Sequence, residues 1–186
     1  MIQNKKKLVT WGLYLGITHV LLGALLYAAG AEYMSKWWVG LSMLAIFIVI
    51  HFVFAFRYRK DAGGIMNYWQ GYVASFSIGM LAGLMSSIFN LVLVGVIDPG
   101  LPEKIKTASI KNTVEMMEGW NVPAEEIEKT IASMEEGFNE QDNGVMGQVK
   151  GIMWQAVGSG IFAFIVAAFL RKKPRSGDPS IDNVVS

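Results

Sequence analysis

The chain has 186 residues, 53% of them apolar and 17% charged, with a formal net charge of +1. Mean hydropathy is +0.38, and the charges are gathered into clusters that leave four long uncharged blocks. That pattern excludes a water-soluble globule, a nucleic-acid binder and a disordered chain. The absence of cysteine removes disulfides, thiolate metal ligands and a cysteine nucleophile.

The first block, residues 8–31, follows Lys5, Lys6 and Lys7 and contains no Asp, Glu, Lys or Arg. A hydrocarbon core about 30 Å thick needs roughly 20 residues of helix. The basic start and the Ala29-Gly30-Ala31 tripeptide resemble a secretory leader. A leader's apolar core is only about 7–15 residues, however, so a retained helix is expected. The second block is 37–56. The third, 62–97, opens on the breaker Ala62-Gly63-Gly64. Residues 65–71 are aromatic and polar and read as an interfacial segment, with the span proper starting near Tyr72. The fourth block is 151–170. Trp11, Trp37, Trp38, Tyr58, Tyr68, Trp69, Tyr72 and Trp154 stand near block ends, as in an interfacial aromatic belt.

Basic residues set orientation. Lys5–Lys7, then Arg57, Arg59 and Lys60, then Arg171, Lys172, Lys173 and Arg175 all fall on one side only if there are four spans. Both termini are therefore expected in the cytoplasm, with residues 98–150 on the other side of the membrane. That stretch has eleven acidic and five basic residues. Its Asp98-Pro99-Gly100-Leu101-Pro102 start ends the third span. A helix is expected from about Pro102 to Glu118, then a break at Gly119 and Asn121, then a second helix with Pro123 in its first turn. The second helix gathers Ala124, Ile127, Ile131, Met134 and Phe138 on one face. The first is apolar on two sides: Leu101, Ile105, Ala108, Met116 and Trp120 on one, Ile110, Val114 and Met117 on the other. It therefore needs two partners, one being the second helix and the other the bilayer surface or another protein.

The expected fold is all-α, an integral membrane four-helix bundle with an extracytoplasmic two-helix hairpin between the third and fourth spans. The chain divides into 1–97 (three spans, with the interfacial segment at 65–71), the acidic hairpin 98–150, the fourth span 151–173 and a disordered cytoplasmic tail 174–186.

Small residues let membrane helices approach closely. The third span has Gly71, Ser75, Gly79, Gly83 and Ser87 at four-residue spacing. The first has Gly12, Gly16, Ala24 and Ala28, and the fourth has Gly147, Gly151, Ser159, Ala163 and Ala167. These stripes imply packing within one chain, or a groove on the third span that receives a second copy or a partner membrane protein. The polar candidates inside the spans are His19, His51, Asn90 and Gln155. The two histidines differ in depth by about 9 Å at 1.5 Å per residue, which disfavours a shared metal. No intramembrane carboxylate accompanies them. Hydrogen bonding across the bundle is the expected use of all four.

Motifs of chemistry are weak. Gly158-Ser159-Gly160-Ile161-Phe162-Ala163 fits a dinucleotide fingerprint but lies inside an apolar block. Asn139, Gln141, Asn143 and Gly144 imitate a calcium loop, yet its twelfth position is Lys150 rather than Glu. No catalytic residue, metal site or cofactor is expected.

The Lys-rich start leading to Gly12 and Gly16, the Arg57-Tyr58-Arg59-Lys60-Asp61-Ala62-Gly63-Gly64 loop, the segment reaching Gly71, the Glu-rich outer helices and the Ala168-Phe169-Leu170-Arg171-Lys172-Lys173 end carry a resemblance. Over nearly the whole chain it resembles a family of small bacterial four-span membrane proteins, the domain of unknown function four-one-nine-nine. The resemblance implies a bacterial inner membrane and a cytoplasmic N-terminus, and no activity. The expected role is therefore non-enzymatic: association with lipid or a partner protein through the outer hairpin or the grooves. The alternatives are a subunit of a small oligomeric transporter, lined by the four polar candidates, and more remotely a lipid-acting enzyme.

Overall fold

The computed structural model describes residues 4–140 and 145–172. Among these the regular structure is helical, apart from one isolated antiparallel bridge between Met66 and Lys172. Four helical stretches are long and apolar enough to cross a membrane: Lys5–Ala29, Trp37–Asp61, Tyr68–Ile97 and Val149–Leu170. Only 17 to 22% of each apolar window is buried inside the chain. Leu25, Val49, Ile88 and Ile161 are among the side chains left facing outward. Such a surface is stable in lipid, where a helix also satisfies its own backbone hydrogen bonds. This is a multi-pass membrane protein.

In chain order the elements are α1 (Lys5–Ala29), α2 (Ala31–Met34), α3 (Trp37–Asp61), α4 (Tyr68–Val92) running into a π-turn (Leu93–Ile97), α5 (Leu101–Gly119), α6 (Ala124–Glu140) and α7 (Val145–Leu170). Gly63, at φ +98°, and Gly64, at φ +79°, end α3. Gly64 N donates to Arg59 O (2.9 Å) and Gly63 N to Lys60 O (3.2 Å), the double bond set of a Schellman stop. Asn121, at φ +56°, ends α5 in the same way, with Val122 N on Met117 O and Asn121 N on Glu118 O.

The structure departs from the sequence expectations in three places. Residues 68–71 form the first turn of α4, continuous with the third span. Asn67 Oδ1 accepts from Gln70 N at 2.8 Å while Gln70 Oε1 accepts from Asn67 N at 3.0 Å. This reciprocal capping box starts the helix at Tyr68 rather than near Tyr72. Pro123 lies just before α6, its carbonyl accepting from Glu126 N and Ile127 N, which is the cap position rather than the first turn. The third departure is α2, one turn inside what reads as a plain first loop. The tail 174–186, and Gln141, Asn143 and Gly144 of the calcium-like stretch, lie outside the described residues.

Contacts gather into two compact units: Met1–His19, Phe47–Ser86 and Ile152–Ser186 form one, Val20–Ile46 and Ser87–Gly151 the other. In the first, Leu15, Tyr58, Ile78, Val166 and Leu170 are the large fully buried side chains of the core. Polar ties close its loops. Trp11 Nε1 donates to Asp61 Oδ2 at 2.9 Å, Arg59 reaches the carbonyls of Phe169 and Leu170 at 3.3 Å, and Lys172 N donates to Met66 O at 2.9 Å. In the second unit α5 packs on both α2 and α6. Lys106 Nζ reaches Asn139 Oδ1 of α6 at 3.0 Å, and Asn112 Nδ2 donates at 2.7 Å to Ser35 Oγ, the residue that caps the C-terminal end of α2. The second partner of α5 is thus a turn of its own chain.

Candidate functional site

In the first unit the small face of α4 is filled by other helices of the same chain. A Cβ at Gly71 would meet Leu170 Cβ at 3.2 Å, and one at Gly79 would meet His51 Cε1 at 3.1 Å and Ser159 Oγ at 3.6 Å. One at Gly83 would overlap the Gln155 side-chain amide. Between them, Ser75 Oγ and His51 Nε2 share a hydrogen bond of 2.9 Å. The serine donates if Nε2 is the bare nitrogen and accepts if Nε2 carries the proton. Gln155 Nε2 donates to Gly79 O at 3.3 Å, across the space that Gly83 leaves open. The result is a small polar cluster joining α3, α4 and α7, with the Phe162 ring edge-on to His51 at 5.1 Å. A histidine beside a serine contains the parts of a base–nucleophile pair. Ser75 is only 1% exposed, however, and His51 8%, so the pair is closed to a substrate in this arrangement.

The remaining candidates go elsewhere. Gly12 and Gly16 take the side chains of Leu81 and Met85 from α4, with Leu81 Cδ1 2.7 Å from where a Gly12 Cβ would stand. Ala163 is fully buried. His19 packs on Phe47, ring centroids 4.4 Å apart, and its buried Nε2 has no hydrogen-bond partner among the described residues, contrary to the expected bond across the bundle. Asn90 and Ser87 belong to the second unit, Asn90 exposed and Ser87 half-buried. The structure therefore brings together His51, Ser75, Gly79, Gly83, Gln155 and Ser159, and leaves His19 and Asn90 outside that group. The Gly158–Ala163 stretch lies in the interior of α7. Among the described residues no three His, Asp or Glu side chains converge as metal ligands.

The second unit holds a cleft of about 670 Å³ between the Gly30–Tyr33 turn and one face of α5. Sequence reasoning did not find it. Its walls include Ala29, Ala31 and Ala108, and its charged lining residues are Glu32, Glu103, Lys104 and Lys111. Lys111 Nζ pairs with Glu32 Oε1 at 3.1 Å. Lys104 Nζ contacts both carboxylate oxygens of Asp98, at 2.8 and 2.9 Å, and Tyr27 Oη donates to Asp98 Oδ2 at 3.4 Å. The Lys104 hydrogen bond, aided by its charge and by Tyr27, holds the Asp98 carboxyl below its ordinary range. The Asp98 hydrogen bond raises Lys104, and the Glu32 hydrogen bond raises Lys111. The one-dimensional signals were an acidic residue six positions before a lysine, and a lone Glu32 in a short loop.

No curated protein and no solved structure matches this chain. A family model described as "Protein of unknown function (DUF4199)" matches residues 10–172. With its four apolar helices and with that match covering most of its length, the chain belongs to the DUF4199 family of proteins of unknown function.

Proposed function

We propose that this protein is a non-enzymatic inner-membrane protein of bacteria that works by association with a partner protein or with lipid. In this reading both termini are cytoplasmic and residues 98–150 face outward as a helical hairpin. The observation that carries it is the outer pair of helices. Ile127, Ile131, Met134 and Phe138 line one face of α6 and are only half-buried against the rest of the unit. Trp120, 70% exposed, stands at the turn between α5 and α6. Large apolar groups left partly open beside an acidic surface fit a contact surface. The buried polar cluster supports the same reading, because His51 and Gln155 are engaged in holding helices together.

The test is gentle purification of the tagged protein in native lipid discs, with mass spectrometry of whatever accompanies it. The expected result is a stoichiometric companion, protein or lipid, that is lost when Trp120, Ile131 and Met134 are replaced by serine. A companion-free homo-oligomer that supports solute flux after reconstitution would instead establish a transporter subunit.

A further inference from the structure

Arg59 lies in the last turn of α3, and its guanidinium meets the last turn of α7. Nη1 donates to the Phe169 and Leu170 carbonyls, each at 3.3 Å, and the guanidinium carbon stands 4.9 Å over the centroid of the Phe56 ring. These contacts fix one end of the fork and one face of its plane. The remaining edge is Nε and Nη2, whose N–H bonds run parallel and suit an oxyanion. It has no acceptor among the described residues. Nε is sealed from the surface without a partner, while Nη2, equally unbonded, is not sealed. The charge is unmatched as well. Asp61 is the one carboxylate among the described residues of the first unit. Its Oδ2 accepts from Trp11 Nε1 at 2.9 Å and lies 3.7 Å from Lys7 Nζ, and Arg59 enters no ion pair among the described residues. The α7 carbonyls offset only about half an elementary charge.

We propose that Arg59 is the seat of a phosphate diester, supplied by the headgroup of an anionic phospholipid. The ends of two spans, α3 and α7, put Nη2 at headgroup depth. The guanidinium is already held in place by α7 and Phe56, so little side-chain entropy is lost on binding. A headgroup with net negative charge supplies what this unit lacks. The ammonium of a zwitterionic headgroup would instead face cations, with no uncommitted carboxylate in the unit to receive it. Arg57, Lys60, Arg171 and Lys172 are exposed in the same unit. They draw anionic lipid to that surface without serving as its ligands. The inference rests on the membrane-spanning reading, and neither on which side Arg59 faces nor on the outer hairpin.

The test is native mass spectrometry of the full-length protein released from discs containing equal parts of phosphatidylglycerol, phosphatidylethanolamine and phosphatidylcholine. One phosphatidylglycerol should be retained roughly tenfold over the other two, the size expected of one hydrogen bond to a charged group. Arg59→Gln should abolish that preference. Lys60→Gln, which removes the same charge from an exposed neighbour, should keep it. Equal retention of the three lipids by the unaltered protein overturns the proposal, and so does an equal loss in the two variants, the mark of a diffuse basic surface. Arg59 also caps α7, so a second measurement avoids replacing it. Arg57→Lys, Arg171→Lys and Arg175→Lys together leave Arg59 as the one guanidinium in the chain with the net charge unchanged. Solid-state magnetic resonance in phosphatidylglycerol discs should then show dipolar contact between its isotope-labelled nitrogens and lipid phosphorus; absence of contact overturns the assignment. Soluble glycerophosphoglycerol, offered to the delipidated protein, separates the sources. Its failure to bind supports a membrane lipid, and binding as tight as the lipid's assigns the site to a free phosphate ester and overturns the lipid source. The companion of the outer hairpin is read with the Trp120, Ile131 and Met134 variants, so the two readings fail separately.

Discussion

Gly83 has a side chain from another helix where its own Cβ would be. The Gln155 amide occupies that volume and reaches past it to the Gly79 carbonyl. Gly83→Ala should therefore destabilise the protein by about 1–3 kcal/mol, the usual cost of overpacking. Gln155→Ala alone should cost about 1 kcal/mol, the scale of a hydrogen bond between membrane helices. The double variant should be more stable than Gly83→Ala alone, because removing the amide makes room for the methyl. Reversible unfolding in mixed micelles, arranged as a double-mutant cycle, measures that coupling; simple additivity would show that the two side chains do not compete for one space. The small-residue spacing was legible in the sequence. What fills each gap was not, since Gln155 is 72 positions away and its rotation about the α7 axis is set by packing.

Several helix stops and starts are written in the local sequence. Gly63-Gly64 and Asn121 end helices because they accept a positive φ at low cost. The Asn67…Gln70 spacing is a capping-box signature, and it was obscured by the aromatic residues that follow it. The link from Asp98 to α5 has a pH consequence. Its folded pKa is lowered, so the pair's contribution is present above the unfolded value of about 4 and is lost as pH falls through the folded value. Lys104 is raised, so on the alkaline side the contribution persists below about 10.4 and is lost as pH rises through its folded value. Thermal stability in detergent should therefore decline at both limits. Asp98→Asn should flatten both limbs relative to the unaltered protein, and the difference should shrink in high salt because Lys104 is largely exposed. An acid limb unchanged by Asp98→Asn would show that the pair carries none of it.

At the scale of the whole molecule, the four-span count and the grouping of basic residues on one side depend on each other, since any odd number of spans would split the clusters. The chain has no native cysteine, so single-cysteine reporters need no prior engineering. In bacterial spheroplasts, Asn121→Cys should react with a membrane-impermeant maleimide, and Lys60→Cys should react only after the membrane is opened. The reverse pattern would invert the proposed topology.

The number of spans, their approximate limits, the membrane environment and the family resemblance follow from the sequence alone. The reason is that hydropathy over some twenty residues is a local property, and a helix in lipid must satisfy its own backbone within that same stretch. The second partner of α5, the His51–Ser75 hydrogen bond, the seat of Gln155 at Gly83 and the charged cleft were decided by tertiary structure. Each depends on how far a helix is turned about its own axis and on side chains distant in the chain. Periodicity marks a face, but only packing chooses what that face meets.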